Sequence, residues 1–514
     1  MKLIKIVFSL TFILLISNVV SQNETDVIRY SSQTLGSSAR AYGLGGAIGA
    51  IGADFSSAVV NPSGMARFRK SYFYVTGAFN SVRNETNYID NLNSNKKFNA
   101  HLPNIGFIVN VPLADFNSKD PKGLVNVVFG FNASRTSNFN RLSTFSGANN
   151  SSVSQNWAER GDATNDVPAD FSMYSLEYLA FQSWMIDADR SSSTPKYISA
   201  YGNSPINVRQ RGVIQNSGRM ADYSGFLALN LQHIVFLGLT LGAKSIDFTE
   251  TNNFTETDLK TGSVNDVSSV SMNQTLKTSG IGFNAKFGLT ICPTEKIRLG
   301  YAFHAPTFFN LSDSYSYSIS SRFDFGAKNP FGFDRVNTTS STGDLIYKYK
   351  ISTPITHVFS LALVDKKIGF LSLDLENVDY TTSRISPKDP TEEPFDMENE
   401  RVQNLLKKNG LNVKIGGEYI FEEYRFRAGY ANYGGVYRNN AVPFSSKLNR
   451  KFYSLGAGIV KDRITIDMAL VFGRFADFSV PYTINNLSVN QKNFTVTNNI
   501  RTTNFVVSVA FKLD

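Results

Sequence analysis

The chain has 514 residues, 51 of them basic and 42 acidic, with four histidines and one cysteine. A net charge of +9 over that length, with no block of five or six like charges, leaves a nucleic acid no footprint to grip. The lone Cys292 excludes an intramolecular disulfide framework, and no apolar run near 18 residues follows the N-terminal leader, which excludes a helical membrane protein.

In chain order, Lys2 and Lys5 precede an apolar run from Ile6 to Ile16 that is too short to span a bilayer. Val19 and Ser21 are small residues placed for cleavage before Gln22, so residues 1–21 are expected to be a secretory signal and the remainder exported. Next comes LGSSARAYGLGGAIGAIGADFSSAVVNPSGMARF, from Leu35 to Phe68, almost uncharged and built from Gly, Ala and Ser. Small side chains allow close backbone packing and positive φ but bury little area, so this stretch needs a container. Gly43 and Gly45 do not make a dinucleotide fingerprint, because position 48 is Ile48 and no strand precedes them. Pro62 fixes its own φ and biases Asn61 away from helix, which predicts a turn there.

From Ser71 onward one pattern repeats: alternating apolar and polar residues, then a turn. In the last segment Phe505, Val507, Val509, Phe511 and Leu513 share one face, against Asn504, Val506, Ser508, Ala510 and Lys512. Tyr424, Phe426, Ala428 and Tyr430 alternate with Arg425, Arg427 and Gly429, and Leu411, Val413 and Ile415 with Asn412, Lys414, Gly416 and Glu418. The chain carries 41 Phe and 23 Tyr, and its aromatics sit on the apolar face near segment ends. A lipid-facing exterior and a polar lumen explain both faces at once.

Such segments fall at 71–80, 100–112, 123–135, 220–232, 234–250, 276–292, 296–318, 342–364, 367–380, 411–421, 424–437, 450–460, 463–475 and 502–513. Fourteen is even, as a closed single-chain antiparallel barrel requires. Every second connection is short, and the others (81–99, 136–219, 251–275, 319–341, 381–410, 438–449 and 476–501) are long. That asymmetry separates short periplasmic turns from long external loops. Two loops carry helix patterns. Asp170–Asp187 has Asp170 as its expected N-cap, with Phe171, Tyr174, Tyr178 and Met185 at near-helical spacing; Met397–Lys408 is the second, ending at Gly410. The apolar face of the first helix either packs on neighbouring loops or forms one wall of an external capture site.

The stretch DVIRYSSQTLGSSARAYGLGGAIGAIGADFSSAVVNPSGM resembles the N-terminal segment of the FadL/TodX family of outer-membrane hydrophobe transporters, in its Bacteroidetes form. The resemblance rests on Ala39, Arg40, Gly43, Gly45, Gly46, Asp54, Asn61, Pro62, Ser63 and Gly64. Ser63 departs from the family's usual Asn-Pro-Ala-Gly. It continues more weakly through RLGYAFHAPTFF, LSLDLENVDY, GGEYIFEEYRFRAGYA and YSLGAGIVKDRITIDMAL. It implies an all-β fold, a fourteen-stranded antiparallel transmembrane barrel whose lumen is plugged by a hatch. The domains are then a signal at 1–21, an N-terminal periplasmic or hatch segment at 22–70 and the barrel at 71–514. It also implies residence in the bacterial outer membrane with both termini periplasmic, in contact with lipid, lipopolysaccharide and the barrel-assembly machinery.

The activity implied is passive, gated uptake of long-chain fatty acids or other hydrophobic small molecules. External loops catch the ligand, a mostly apolar pocket against the hatch holds it, and a kinked third strand lets it leave sideways. Gly130, in the predicted third strand, is the residue that would permit that kink. The alternative is a general porin or a structural or adhesive barrel, which has no need of an uncharged Gly-rich plug. Inward-facing Lys414, Glu418, Arg425, Arg427 and Asp467 suit a structural charge ladder. The competing expectation is that Arg425 or Arg427 meets a ligand carboxylate, to which an arginine fork is matched. No GxSxG elbow or HExxH helix occurs, and His101, His233, His304 and His357 show no ligand spacing. Neither catalysis, metal nor cofactor is expected.

Overall fold

The computed structural model describes residues 23–31, 35–114, 122–189, 196–202, 206–259, 267–329, 331–442, 445–486 and 491–513. The signal expected at 1–21 lies outside them. Fourteen antiparallel strands close into a barrel. They are β1 (Ser71–Tyr88), β2 (Asn91–Pro112), β3 (Leu124–Asn138 continued by Arg141–Asn149), β4 (Val208–Leu231), β5 (Val235–Asp258), β6 (Val267–Ile291) and β7 (Ile297–His304 continued by Phe308–Phe323). The circuit goes on through β8 (Leu345–Ser352 continued by Ile355–Asp365), β9 (Gly369–Asp379 continued by Arg384–Pro387), β10 (Gly410–Phe421), β11 (Tyr424–Tyr433), β12 (Arg450–Lys461), β13 (Ile464–Ser479) and β14 (Val496–Leu513). The ladder from Ser71↔Leu513 to Asn87↔Thr497 joins β1 to β14 and leaves no edge.

The strand count agrees with the alternation, but many strands run further than it predicts. The expected loop 81–99 is a hairpin paired as far as Tyr88↔Asn91, turning on Ile89 and Asp90, both at positive φ. Its polar Asn and Thr residues carry no hydrophobic alternation, yet their backbones pair as well as any. β4, β5 and β6 reach 24 or 25 residues, about twice the length that spans a bilayer. The wall therefore continues well past the outward apolar band.

Along β5 the lumen reads as layers. Phe236 belongs to a base cluster near the short turns with Phe55, Phe68, Tyr74 and Phe226. Thr240 donates to the Ala58 carbonyl, and Lys244 lines a cavity. Ile246 and Phe248 enter an apolar chamber that is filled by packed side chains, and Phe254 belongs to a cap that closes the long-loop end. Inward residues recur every second position at about 3.3 Å rise per residue, so one strand visits each level in turn.

The cap corrects the loop helices. Asp170 caps nothing; the helices there are α4 (Val153–Thr164) and α5 (Leu176–Gln182). Ser175 is the N-cap of α5 through Tyr178 N–H, and Ser152 with Gln155 forms a capping box on α4. The later helix, α6 (Asp396–Leu405), lies where expected, starting one residue earlier and ending three earlier.

Candidate lumenal site

The N-terminal segment threads the barrel. Helix α1 (Glu24–Tyr30) buries Val27 and Tyr30 in the chamber beside Phe309, Tyr349 and Val402. The described chain thus begins inside the barrel, toward its long-loop end, because α1 finds its apolar partners there. Helix α2 (Ala39–Gly43) and the four-residue α3 (Ser57–Val60) follow, then a 3-10 turn over Pro62–Arg67.

This segment holds the wall through backbone and small polar groups. Ala39 N–H donates to Ser508 Oγ at 2.7 Å, and Ile48 and Gly49 N–H both donate to Asp374 at 3.1 and 2.9 Å. Asn61 donates to the Gly49 carbonyl at 2.6 Å and accepts from Ser63, whose hydroxyl meets Thr290 at 2.7 Å. Gly45 and Gly46 sit at φ +62° and +82°, turning the chain against Tyr430 and Leu35. Gly64 backs onto Gly52. Gly416 and Gly429 on the wall face Leu44 and Gly45 so closely that a Cβ on either would overlap that backbone.

Arg40 carries the charge contact. Its Nε lies 3.2 Å from Glu418, which also takes Arg427 Nε at 2.6 Å, and Arg427 spends its other arm on Asp467 at 2.6 Å. Lys414 pairs with Glu376, both buried. Arg425 donates instead to the carbonyls of Glu422 and Tyr424 at the short-turn rim. Neither Arg425 nor Arg427 lines the cavity; Arg427 has the partners of a charge ladder, and Arg425 has backbone carbonyls only among the described residues.

That cavity, about 80 Å³, lies between the threaded segment and the wall. Its lining is more polar than a pocket for hydrocarbon alone: Asp222, Lys244, Asn284, Lys286, His304 and Glu376 all reach it. Lys286 pairs with Asp222 at 3.0 Å, and His304 Nε2 meets the Val60 carbonyl at 2.8 Å. Lys244 has no carboxylate in ion-pair range among the described residues, and the buried Asn284 amide makes no well-formed hydrogen bond. A surplus ammonium beside an unsatisfied amide suits an anionic head group. The apolar chamber around Phe248 and Phe309 lies immediately above.

A seam opens in the wall between β2 and β3. The β2–β3 ladder ends at Asn104↔Ser134, and beyond it β3 pairs only with β4. β3 breaks at Phe139 and Asn140, opposite Gly218 at φ +111°, as the Phe139 ring turns in to pack edge-on against Phe248. Gly130 is not the break: it stays in register with Ile108 and Phe226, and the Phe226 ring fills the space a Cβ would need. Across the seam the bonds among the described residues start from side chains, with Asn99 and Asn138 bonded reciprocally, Asn95 donating to Thr144 Oγ1 at 2.7 Å and Lys97 to the Asn216 carbonyl at 3.4 Å.

Of the expected capture residues, Phe171 is buried against Tyr197 and Met185 is fully buried in the cap, while Tyr178 packs at its edge. Tyr174 alone of the four is exposed, at 52%. Lys244, Lys286 and Asp374 were not singled out from the sequence. The inward parity of Gly416 and Gly429 was a usable signal, since glycine on a polar wall face marks a close backbone approach.

No protein-family model and no curated protein sequence matches the chain. Its fold is similar to that of a FadL homologue from Pseudomonas aeruginosa, at 13% identity and TM-score 0.56, over 94% of this chain and 99% of that one. It is also similar to the Pseudomonas putida toluene transporter TodX, at 11% identity and TM-score 0.51, over 94% and 100%.

Proposed function

We propose that this chain is an integral outer-membrane channel that takes up hydrophobic small molecules, and that its ligand is an amphiphile with a carboxylate head, such as a long-chain fatty acid. The observation that carries the reading is the stacking of two environments: a polar cavity with Lys244, which has no ion-pair partner among the described residues, and directly above it the apolar chamber. The head would meet Lys244 and Lys286 while the tail displaces α1 from the chamber. A ligand that is hydrocarbon alone would leave the ammonium and the Asn284 amide unused.

In this reading residues 35–68 are a hatch, and the external loops with Tyr174 are the first surface a ligand meets. The β2–β3 seam, held by side chains rather than a ladder, is the sideways exit toward lipid. The short turns and the end of β14 face the periplasm. The porin alternative suits the structure less well, because the lumen is occupied at each level along β5.

The test is uptake of labelled oleate and labelled toluene by a deletion strain complemented with wild type, Lys244→Gln, or a chain lacking residues 36–66. Oleate uptake restored by wild type and reduced about tenfold or more by Lys244→Gln, with toluene unaffected, supports the reading; a buried charge-assisted contact is worth roughly that much. Equal uptake with and without the gene rejects transport. Hydrophilic leakage in the truncation alone identifies the hatch.

A further inference from the structure

The short-turn end of the barrel holds a second group of cations. Arg67 closes the 3-10 turn, lies over the Phe236 ring at 4.9 Å and donates to Cys292 Sγ at 3.5 Å. Arg298, second residue of β7, donates to the Ile51 carbonyl at 3.0 Å. Both are half-buried and reach the same stretch of backbone, the Arg67 side chain packing against Gly52 while Arg298 bonds the Ile51 carbonyl. Neither has a carboxylate in ion-pair range among the described residues, whereas Arg40 nearby is paired with Glu418. Each guanidinium carries five donors, and each makes one hydrogen bond here. Two adjacent, partly desolvated like charges without a counter-charge are unfavourable unless an anion joins them.

We propose that Arg67 and Arg298, beside Cys292, form an anion site at the short-turn mouth of the barrel that takes a carboxylate. It is separate from the lumenal cavity, whose cations are Lys244 and Lys286, and it does not depend on the transport reading. The carboxylate is either a small one from the surrounding compartment or the head of an amphiphile.

Cys292 is the sole cysteine of the chain, so alkylating it in the purified full-length barrel in non-ionic detergent reports on this site alone. The ratio of the iodoacetate rate to the iodoacetamide rate, referred to the same ratio for glutathione, cancels any change in thiol reactivity. An anion site raises that ratio by about fivefold, the effect of roughly one unscreened charge contact. The Arg67→Gln/Arg298→Gln variant returns it to the glutathione value, and Arg67→Lys/Arg298→Lys, which keeps the charge, retains the preference. Acetate or decanoate slows the reaction; equal protection assigns the site to a small carboxylate, and protection by decanoate at far lower concentration assigns it to an amphiphile. A ratio equal to that of glutathione, a ratio unchanged by the glutamine variant, a Cys292 inert to both reagents, or no protection by either carboxylate overturns the proposal.

Discussion

The segment threading the lumen and the cap closing the long-loop end both seal the same barrel, by opposite means. The cap is a hydrophobic core: Trp157, Phe145, Leu179, Met185 and Phe254 are buried together, and Arg335–Asp187 and Arg160–Glu177 tie its edges at 2.5 Å each. Between Ala39 and Ala50 the lumenal segment buries only small apolar patches, the largest joining Leu44 and Ile48 to Ala41 and Val60, and is otherwise held by single hydrogen bonds, the Arg40–Glu418 pair and backbone laid against wall glycines. Apolar burial has no substitute in water, whereas a hydrogen bond to the wall exchanges for one to water at a net cost of about 1 kcal/mol. The lumenal segment is therefore expected to loosen more easily than the cap.

The largest expected effect breaks the cap. Trp157→Ala removes a side chain that is 1% exposed and costs the cap about 3–5 kcal/mol. Limited proteolysis should then cut within 150–202, while unheated samples still migrate as a folded barrel in detergent gels. Gly429→Val acts on the other region. Its side chain overlaps Leu44 and Gly45, costs about 1–3 kcal/mol and pushes the segment off the wall, so single-channel conductance rises above that of wild type. A cap that loosened in Gly429→Val, or a leak in Trp157→Ala, would show that the two seals are coupled.

Asp374→Asn weakens the acceptor for Ile48 and Gly49 N–H by about 1–2 kcal/mol, so hydrogen exchange at those two amides should quicken roughly 5- to 30-fold. The smallest effect is a pH dependence of the cap. Glu256 lies about twenty residues along β5 from Val235, beyond the bilayer-spanning part, with no cation in ion-pair range among the described residues. Burial raises its carboxyl to about 7, against hydrogen bonds from Ser152, Val153 and Gln210 that lower it. A raised carboxyl favours the folded cap when protonated. That stability is complete below the ordinary value near 4.5 and is lost as pH rises through about 7. Between pH 6 and 8 the cap should lose about 1 kcal/mol, read as faster proteolysis, and Glu256→Gln should flatten the profile.

Much of the barrel was legible because a wall between lipid and water must alternate. Phe505, Val507 and Val509 on one face and Ser508 on the other could belong to little else. The alternation ends before the strands do wherever both faces leave the bilayer, as in Asn91–Ala100, where polar side chains erase it although the backbone still pairs. Arg427 was visible as an inward charge, but Glu418 lies on the adjacent β10 and Asp467 two strands away on β13, and only register brings them within 2.6 Å.

By itself the sequence determined the strand number, the polar face of the wall and the need for a container around Leu35–Phe68, since periodicity and side-chain size are local properties. Tertiary structure alone decided which lysine is left without a partner, where β3 leaves its neighbour and which helices the cap keeps. Each of these depends on what stands across a gap from distant parts of the chain: Asp222 reaching Lys286 rather than Lys244, Phe248 drawing in Phe139, and Ser175 rather than Asp170 starting a helix that packs on β7.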